Sequence, residues 1–285
     1  MASTRRIQLY FSSCLLFSLL VSSLTIPHDE LRHQTALSLN DQSFLGTPPE
    51  VKAYADCPRK NPYVADGTLI DQLWKQNCDL VARFLNNNFT TWQAITNNPA
   101  ATLPSFQYYS AQDYYYLLET VQHKAYLMPS WLPQGYKLNA SINATVDDMK
   151  GDLAYAQDFF DDITKNLNIS KTVIDQGGLQ AAGLGYVKWL QASTSLGRDK
   201  GWGEIANQLN SSGTTQKNTI FYEKWISPNL DWSYGQKMSN EFQANLVFNN
   251  SLTFPAYNIL FREGLRNEIA FFEGALGKTL NDNKQ

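Results

Sequence analysis

Histidine is scarce in this chain of 285 residues, which holds three: His28, His33 and His123. A heme needs an axial ligand, and a di-iron site in a helical bundle needs several histidines and carboxylates at fixed turns. Only His123 lies beyond the N-terminal segment, and Glu119 precedes it by four positions instead of three, so neither a metal nor a cofactor is expected. Cysteine is equally sparse, at three, and shows no zinc spacing. A glycine-rich phosphate loop and a Ser-His-Asp order are missing too. Positive charge is thin: the net charge is -3 and no basic run of five or more occurs, which argues against a nucleic-acid or anionic-membrane partner. No run alternates apolar and polar residues between hairpin turns, and there is no internal repeat, so the sequence reads as all-α.

The N-terminus carries the first positive signal. Arg5 and Arg6 precede an apolar run from Ile7 to about Leu24, with Val21 and Ser23 suited to the -3 and -1 positions of a cleavage site. Residues 1–23 therefore read as a secretory signal peptide, and the mature protein as extracellular with no membrane contact. The run approaches spanning length, and an uncleaved anchor is the alternative; its serines and the small residues at its end favour cleavage. Six Asn-x-Ser/Thr acceptors, at Asn88, Asn139, Asn143, Asn168, Asn210 and Asn249, point the same way. Cleavage leaves Cys57 and Cys78, which are expected to form a disulfide in an oxidising compartment, tying the leader to the first helix. The alternative is a reactive thiol at Cys78, although no neighbouring His, Lys or Arg motif marks it.

Residues 24–67 are polar and proline-bearing, an extended leader without a period, and 68–285 read as one helical domain. Thr68-Leu69-Ile70-Asp71 has capping-box spacing ahead of a first helix to about Asn86. Pro104 introduces a long second helix to about Met128, and Thr145 to Asp148 offer a cap for a third that carries Met149 to Leu167. Further helices are expected at about 176–196, 201–209, 215–226, 233–248 and 254–279. Long helices joined by short polar connections make a bundle.

Within that bundle two acids are misplaced for simple amphipathic helices. Helical spacing puts Phe261, Leu265, Glu268, Phe272 and Ala275 on one face, with Arg262, Glu263, Arg266 and Glu273 on the other. Upstream, Tyr109, Asp113, Tyr116, Leu117 and Thr120 share a face with the acid in its middle. A carboxylate on a buried face costs several kcal/mol unless hydrogen-bonded or paired, so a polar site inside the core is expected.

Two motifs add a family. Phe106 to Leu117, which follows Leu103-Pro104, matches F-x-x-Y-x-x-Q-D-x-x-Y-L. Glu268 to Ala275 approximates E-x-x-F-W-D-x-A, with Phe272 and Glu273 in place of Trp and Asp. Together with Tyr222-Glu223-Lys224-Trp225-Ile226 as Y-x-x-W-I, they resemble the TenA (thiaminase II) family over residues 68 to 278, a stretch near 137–170 remaining unmatched. The resemblance implies the heme-oxygenase-like multi-helical bundle and a pocket for an aminopyrimidine or thiamine-related heteroaromatic. Asp113 would grip the amidine edge, Tyr116, Tyr186 and Tyr222 would line the ring, Phe272 would serve as a wall, and Glu268 would transfer protons in hydrolysis. One departure stands out: no cysteine follows Cys78, and the family's usual nucleophilic thiol maps onto or near Ala182. A non-catalytic binding module or a structural glycoprotein on the same fold is the alternative.

Overall fold

The helix expected from Thr68 to about Asn86 is realised in two pieces, α1 (Leu69–Gln76) and α2 (Cys78–Leu85), and a further helix, α3 (Asn88–Ile95), follows. In the computed structural model, which describes residues 67–127, 138–192, 198–231 and 254–283, the Thr68 hydroxyl accepts from Asp71 N at 3.3 Å. The Asp71 carboxylate reaches back to the Gly67 N–H at 2.7 Å, a capping box displaced by one residue. Asparagines make the breaks. Buried Asn77 donates from its amide to Leu73 O at 2.8 Å and to Asn258 Oδ1 at 2.7 Å, and a side chain that takes a helix carbonyl ends the backbone ladder there. Asn87 repeats the device, donating to Phe84 O at 2.9 Å and accepting from Thr90 N at 2.9 Å, so it closes α2 and caps α3.

The long helix α4 (Pro99–Leu127) starts five residues before the expected Pro104. Pro99 fits the first helical position, where its missing N–H has no partner to lose, and Pro104 is carried inside. Helix α5 (Leu138–Lys165) also starts early, which makes Thr145 an interior residue. Then come α6 (Lys171–Asp175), capped by Ser170, α7 (Ala181–Ala192) and α8 (Arg198–Ser211). The helix expected over 215–226 shrinks to a π-helical turn, Tyr222–Ile226, followed by a 3-10 turn, Pro228–Leu230. Helix α9 (Phe254–Ala275) stops just before Gly277, which takes φ +73°, and a last 3-10 turn covers Leu280–Asn283. There is no β-strand among the described residues. The helix expected at 233–248, the signal-like run, Cys57 and Asn249 lie outside them.

Helix α9 is the axis of the molecule. It packs against α7, α2, α3, α4, α1 and α8, while α4 also contacts α5 and α7. On its apolar side Phe261, Leu265, Phe272 and Ala275 are buried, as the stripe predicts. On its outer side Arg262 clasps Asp79 at 3.0 and 2.7 Å, and Glu273 receives Arg83 at 3.2 and 2.7 Å, so two forked ion pairs clamp α2 along α9.

Candidate functional site

The centre of the bundle is a continuous set of rings. Phe272 stacks on Tyr109 at 5.5 Å with planes 5° apart, and lies 6.1 Å from Phe89, 6.0 Å from Phe84, 6.0 Å from Trp202 and 5.9 Å from Trp225. Trp225 stacks on Phe221 at 5.3 Å and donates its indole N–H to Tyr109 Oη at 3.3 Å. Each such pair contributes about 0.5–1.5 kcal/mol beyond its buried area. Phe272 is thus the hub of the core.

These ring contacts also fix the register of the two motif helices. The Ser105 hydroxyl of α4 donates to Lys278 O, just beyond α9, at 3.0 Å, and one turn along α4 Tyr109 meets Phe272. Residue numbers rise on one helix as they fall on the other, so α4 and α9 run antiparallel. One further turn in the same sense carries α4 to Asp113 and α9 to Glu268. The two motif acids therefore belong to adjoining turns of one interface, and both are buried, at 8% and 2% exposure. Tyr116, on the next turn of α4, is buried as well.

Glu268 has a specific answer to its burial. The indole N–H of Trp202, from α8, donates to Glu268 Oε2 at 2.8 Å. Trp202 is itself wedged between Trp225, at 6.3 Å, and Phe272. It comes this close because the preceding residue is glycine: a Cβ on Gly201 would sit 1.9 Å from Cε1 of Phe84, so the backbone of α8 presses directly on that ring. Sequence reasoning missed Trp202; the Gly201-Trp202-Gly203 run, a large ring between two residues that permit close approach, was the available signal. It also gave no role to Gln112, whose amide donates to Gly178 O at 2.9 Å and accepts from Gln180 N at 2.8 Å, which fixes the entry to α7 beside Asp113.

The remaining expected residues fall as follows. Tyr222 points its hydroxyl at Asn210 Oδ1, 2.7 Å away, with Lys217 Nζ 5.9 Å from its ring centre. Asn210 lies two turns along α8 from Trp202, about 12 Å, so this contact carries the Tyr222 hydroxyl away from Glu268. Tyr186 is in α7, directly after Gly185, which approaches Asn267. Ala182 is half-buried against Gly274, more than a turn beyond Glu268 on α9. Cys78 is disulfide-bonded. Of the glycosylation acceptors, Asn88, Asn143 and Asn168 are exposed, Asn210 is half-buried, and Asn139 lies in α5. No group of three or more metal-ligating side chains occurs among the described residues, and no described helix is long and apolar enough to cross a membrane.

No protein-family model matches the chain, and no curated protein matches it in sequence. Among solved structures the chain is similar to the X-ray structure of a TenA homologue from Pyrococcus furiosus, with a TM-score of 0.51 and 18% identity. The match covers 73% of this chain and 99% of that one. At that identity the likeness defines the fold: this is a TenA-like, all-helical bundle of the heme-oxygenase-like class.

Proposed function

We propose that the chain binds an aminopyrimidine or a thiamine-related heteroaromatic at the α4/α9 interface. In this reading Asp113 accepts hydrogen bonds from the amino edge of the ligand, Tyr116 and Tyr186 lie along its ring, Phe272 backs the wall, and Glu268 moves a proton. The Tyr222 hydroxyl is held by Asn210, which leaves its ring face for that wall. The observation that carries the reading is Glu268, a carboxylate at 2% exposure among aromatic rings, one antiparallel register step from a second buried acid. Aromatic faces beside a buried acceptor are what an aminopyrimidine asks for.

The reaction proposed is hydrolysis. The oxygen of water bonds to the carbon that carries the leaving nitrogen and the C–N pair goes to that nitrogen; an amine departs with a proton relayed by Glu268, whereas a thiazolium departs as neutral thiazole and the water proton passes through Glu268 to solvent. The test is incubation of purified protein with thiamine and with aminopyrimidines while products are separated by chromatography. Conversion by the native chain, with Glu268→Gln still stabilised thermally by ligand but inactive, is the expected result. Absence of both conversion and ligand-dependent stabilisation in the native chain sinks the proposal.

A second reading has its own support. A methyl group stands at Ala182, where the resemblance puts a nucleophilic thiol, and a methyl has no nucleophilic chemistry. Ligand-dependent stabilisation without turnover identifies a binding module. In either case the chain is proposed to be secreted, with 1–23 removed, Cys57 joined to Cys78, and glycans on the Asn-x-Ser/Thr acceptors. Expression in a secretory host followed by enzymatic deglycosylation tests this through the loss of mass.

A further inference from the structure

We propose that Trp202 is a positioning residue that holds Glu268 in its carboxylate form, so that Glu268 begins the hydrolytic cycle as a base and not as an acid. The inference rests on the reading of Glu268 given above, and none of the motif residues supplies it. An indole N–H donates and cannot accept, so the oxygen it faces at 2.8 Å must present a lone pair. Hydrogen bonds to an ionised acceptor are about twice as strong as neutral ones, and a donor that binds the charged form favours it against desolvation.

The donor is also fixed in place. Gly201 sets the α8 backbone on Phe84, and Trp225 and Phe272 flank the indole, so Trp202 cannot swing off the carboxylate without unpacking the ring cluster. The charges described on the elements packed against α9 are engaged elsewhere or are acids. Asp113 on α4, Glu204 on α8 and Asp71 on α1 are buried acids. Arg83 is engaged by Glu273, Arg262 by Asp79, Arg266 by Glu263 and Lys75 by Asp71. The indole is a neutral donor, so it favours the charged form of Glu268 without adding a charge of its own. In the cycle, Glu268 takes one proton from the attacking water as its oxygen bonds to carbon. It then gives that proton to a leaving amine as the C–N bond breaks, or to solvent where neutral thiazole departs, and returns to carboxylate with no net redox change.

The test needs no ligand. Protein with carbon-13 at its glutamate carboxyls is titrated by NMR, the Glu268 signal being assigned by its loss in Glu268→Gln. In Trp202→Phe the midpoint of that signal rises by about one to two pH units, the size expected for losing a hydrogen bond to a charged group. Site-specific replacement of Trp202 by benzothienylalanine, which keeps the bicyclic shape and lacks the N–H, gives the same rise with native near-ultraviolet circular dichroism. An unchanged midpoint in both variants overturns the proposal. So does a rise confined to the phenylalanine variant, because lost packing would then be its cause. Failure of the heteroaromatic reading shows separately, as a native chain that neither binds nor converts those compounds while its titration still depends on Trp202.

Discussion

Helix α4 carries buried polar groups at two places, and the two are answered in opposite ways. Toward the α9 side, the partner acid Glu268 meets a neutral indole N–H within a field of aromatic rings. Toward α5, Lys124 places its ammonium 2.7 Å from Asp148 and 2.6 Å from Asp152, closing a buried ion-pair triad. His123, next to that lysine, is held below its ordinary imidazole value of 6.5, first by burial and then by the Lys124 charge, so it stays neutral at physiological pH. The contrast separates a dipolar contact from an ionic staple. A cation cancels the carboxylates it touches and locks two helices together; a dipolar donor orients the carboxyl it faces without adding a charge of its own.

The largest effects should come from breaking each region at its hub. Phe272→Ala removes the ring shared by Tyr109, Phe84, Phe89, Trp202 and Trp225, and should lower stability by about 3–5 kcal/mol in denaturant unfolding. Lys124→Met leaves two acids buried without their cation, and a loss of a similar 3–5 kcal/mol is expected at neutral pH. The two regions then part company. Adding Asp148→Leu and Asp152→Leu to the lysine variant should restore most of the loss, since a well-packed apolar group can replace a buried ion pair. No polar replacement at position 272 should do the same. A triple variant as unstable as the single one would show that α4 and α5 are held by more than charge balance.

How far the sequence predicts this contrast depends on range. The buried stripe on α9, the capping signal at Thr68 and the mid-face acids were legible because each is written in spacing within one helix. The break at Asn77 was not, because its partners include Asn258 and Arg262, some 180 residues away in sequence. The same limit hid Trp202: its value comes from a bond to Glu268, 66 residues on, and from the fit of Gly201 against Phe84. Tyr222 shows the same limit, since its position in the Y-x-x-W-I segment says nothing of the Asn210 side chain that accepts from its hydroxyl.

A medium effect sharpens the site side of the comparison. Gly201→Ala would ordinarily favour a helix by up to about 1 kcal/mol. Here the new methyl group meets a fully buried ring that has no room to retreat, so overpacking should win by about 1–3 kcal/mol. The variant should also shift the Trp202 fluorescence and weaken ligand-dependent stabilisation, because α8 must move away from α2 and take the indole with it. A gain in thermal stability would mean that Phe84 yields and that the close approach is not what places Trp202.

The smallest effect belongs to a charged pair that resembles the α4/α5 staple in chemistry but not in burial. Asp79 receives the Arg262 fork at 3.0 and 2.7 Å on a face open to water. That hydrogen bond, opposed by partial burial, holds its carboxyl below the ordinary 3.8. A depressed acid stabilises the folded state above its unfolded value and loses that contribution as pH falls through the folded one. Asp79→Asn should therefore lower the melting temperature slightly and evenly near neutrality, and the gap to the native chain should close only below pH 3.8. Solvent and salt screen such pairs, so the neutral-pH loss should stay within about 1 kcal/mol and shrink further in high salt. A loss as large as that from Lys124→Met would mean that exposure does not separate the two pairs, and that the clamp of α2 on α9 is a second staple.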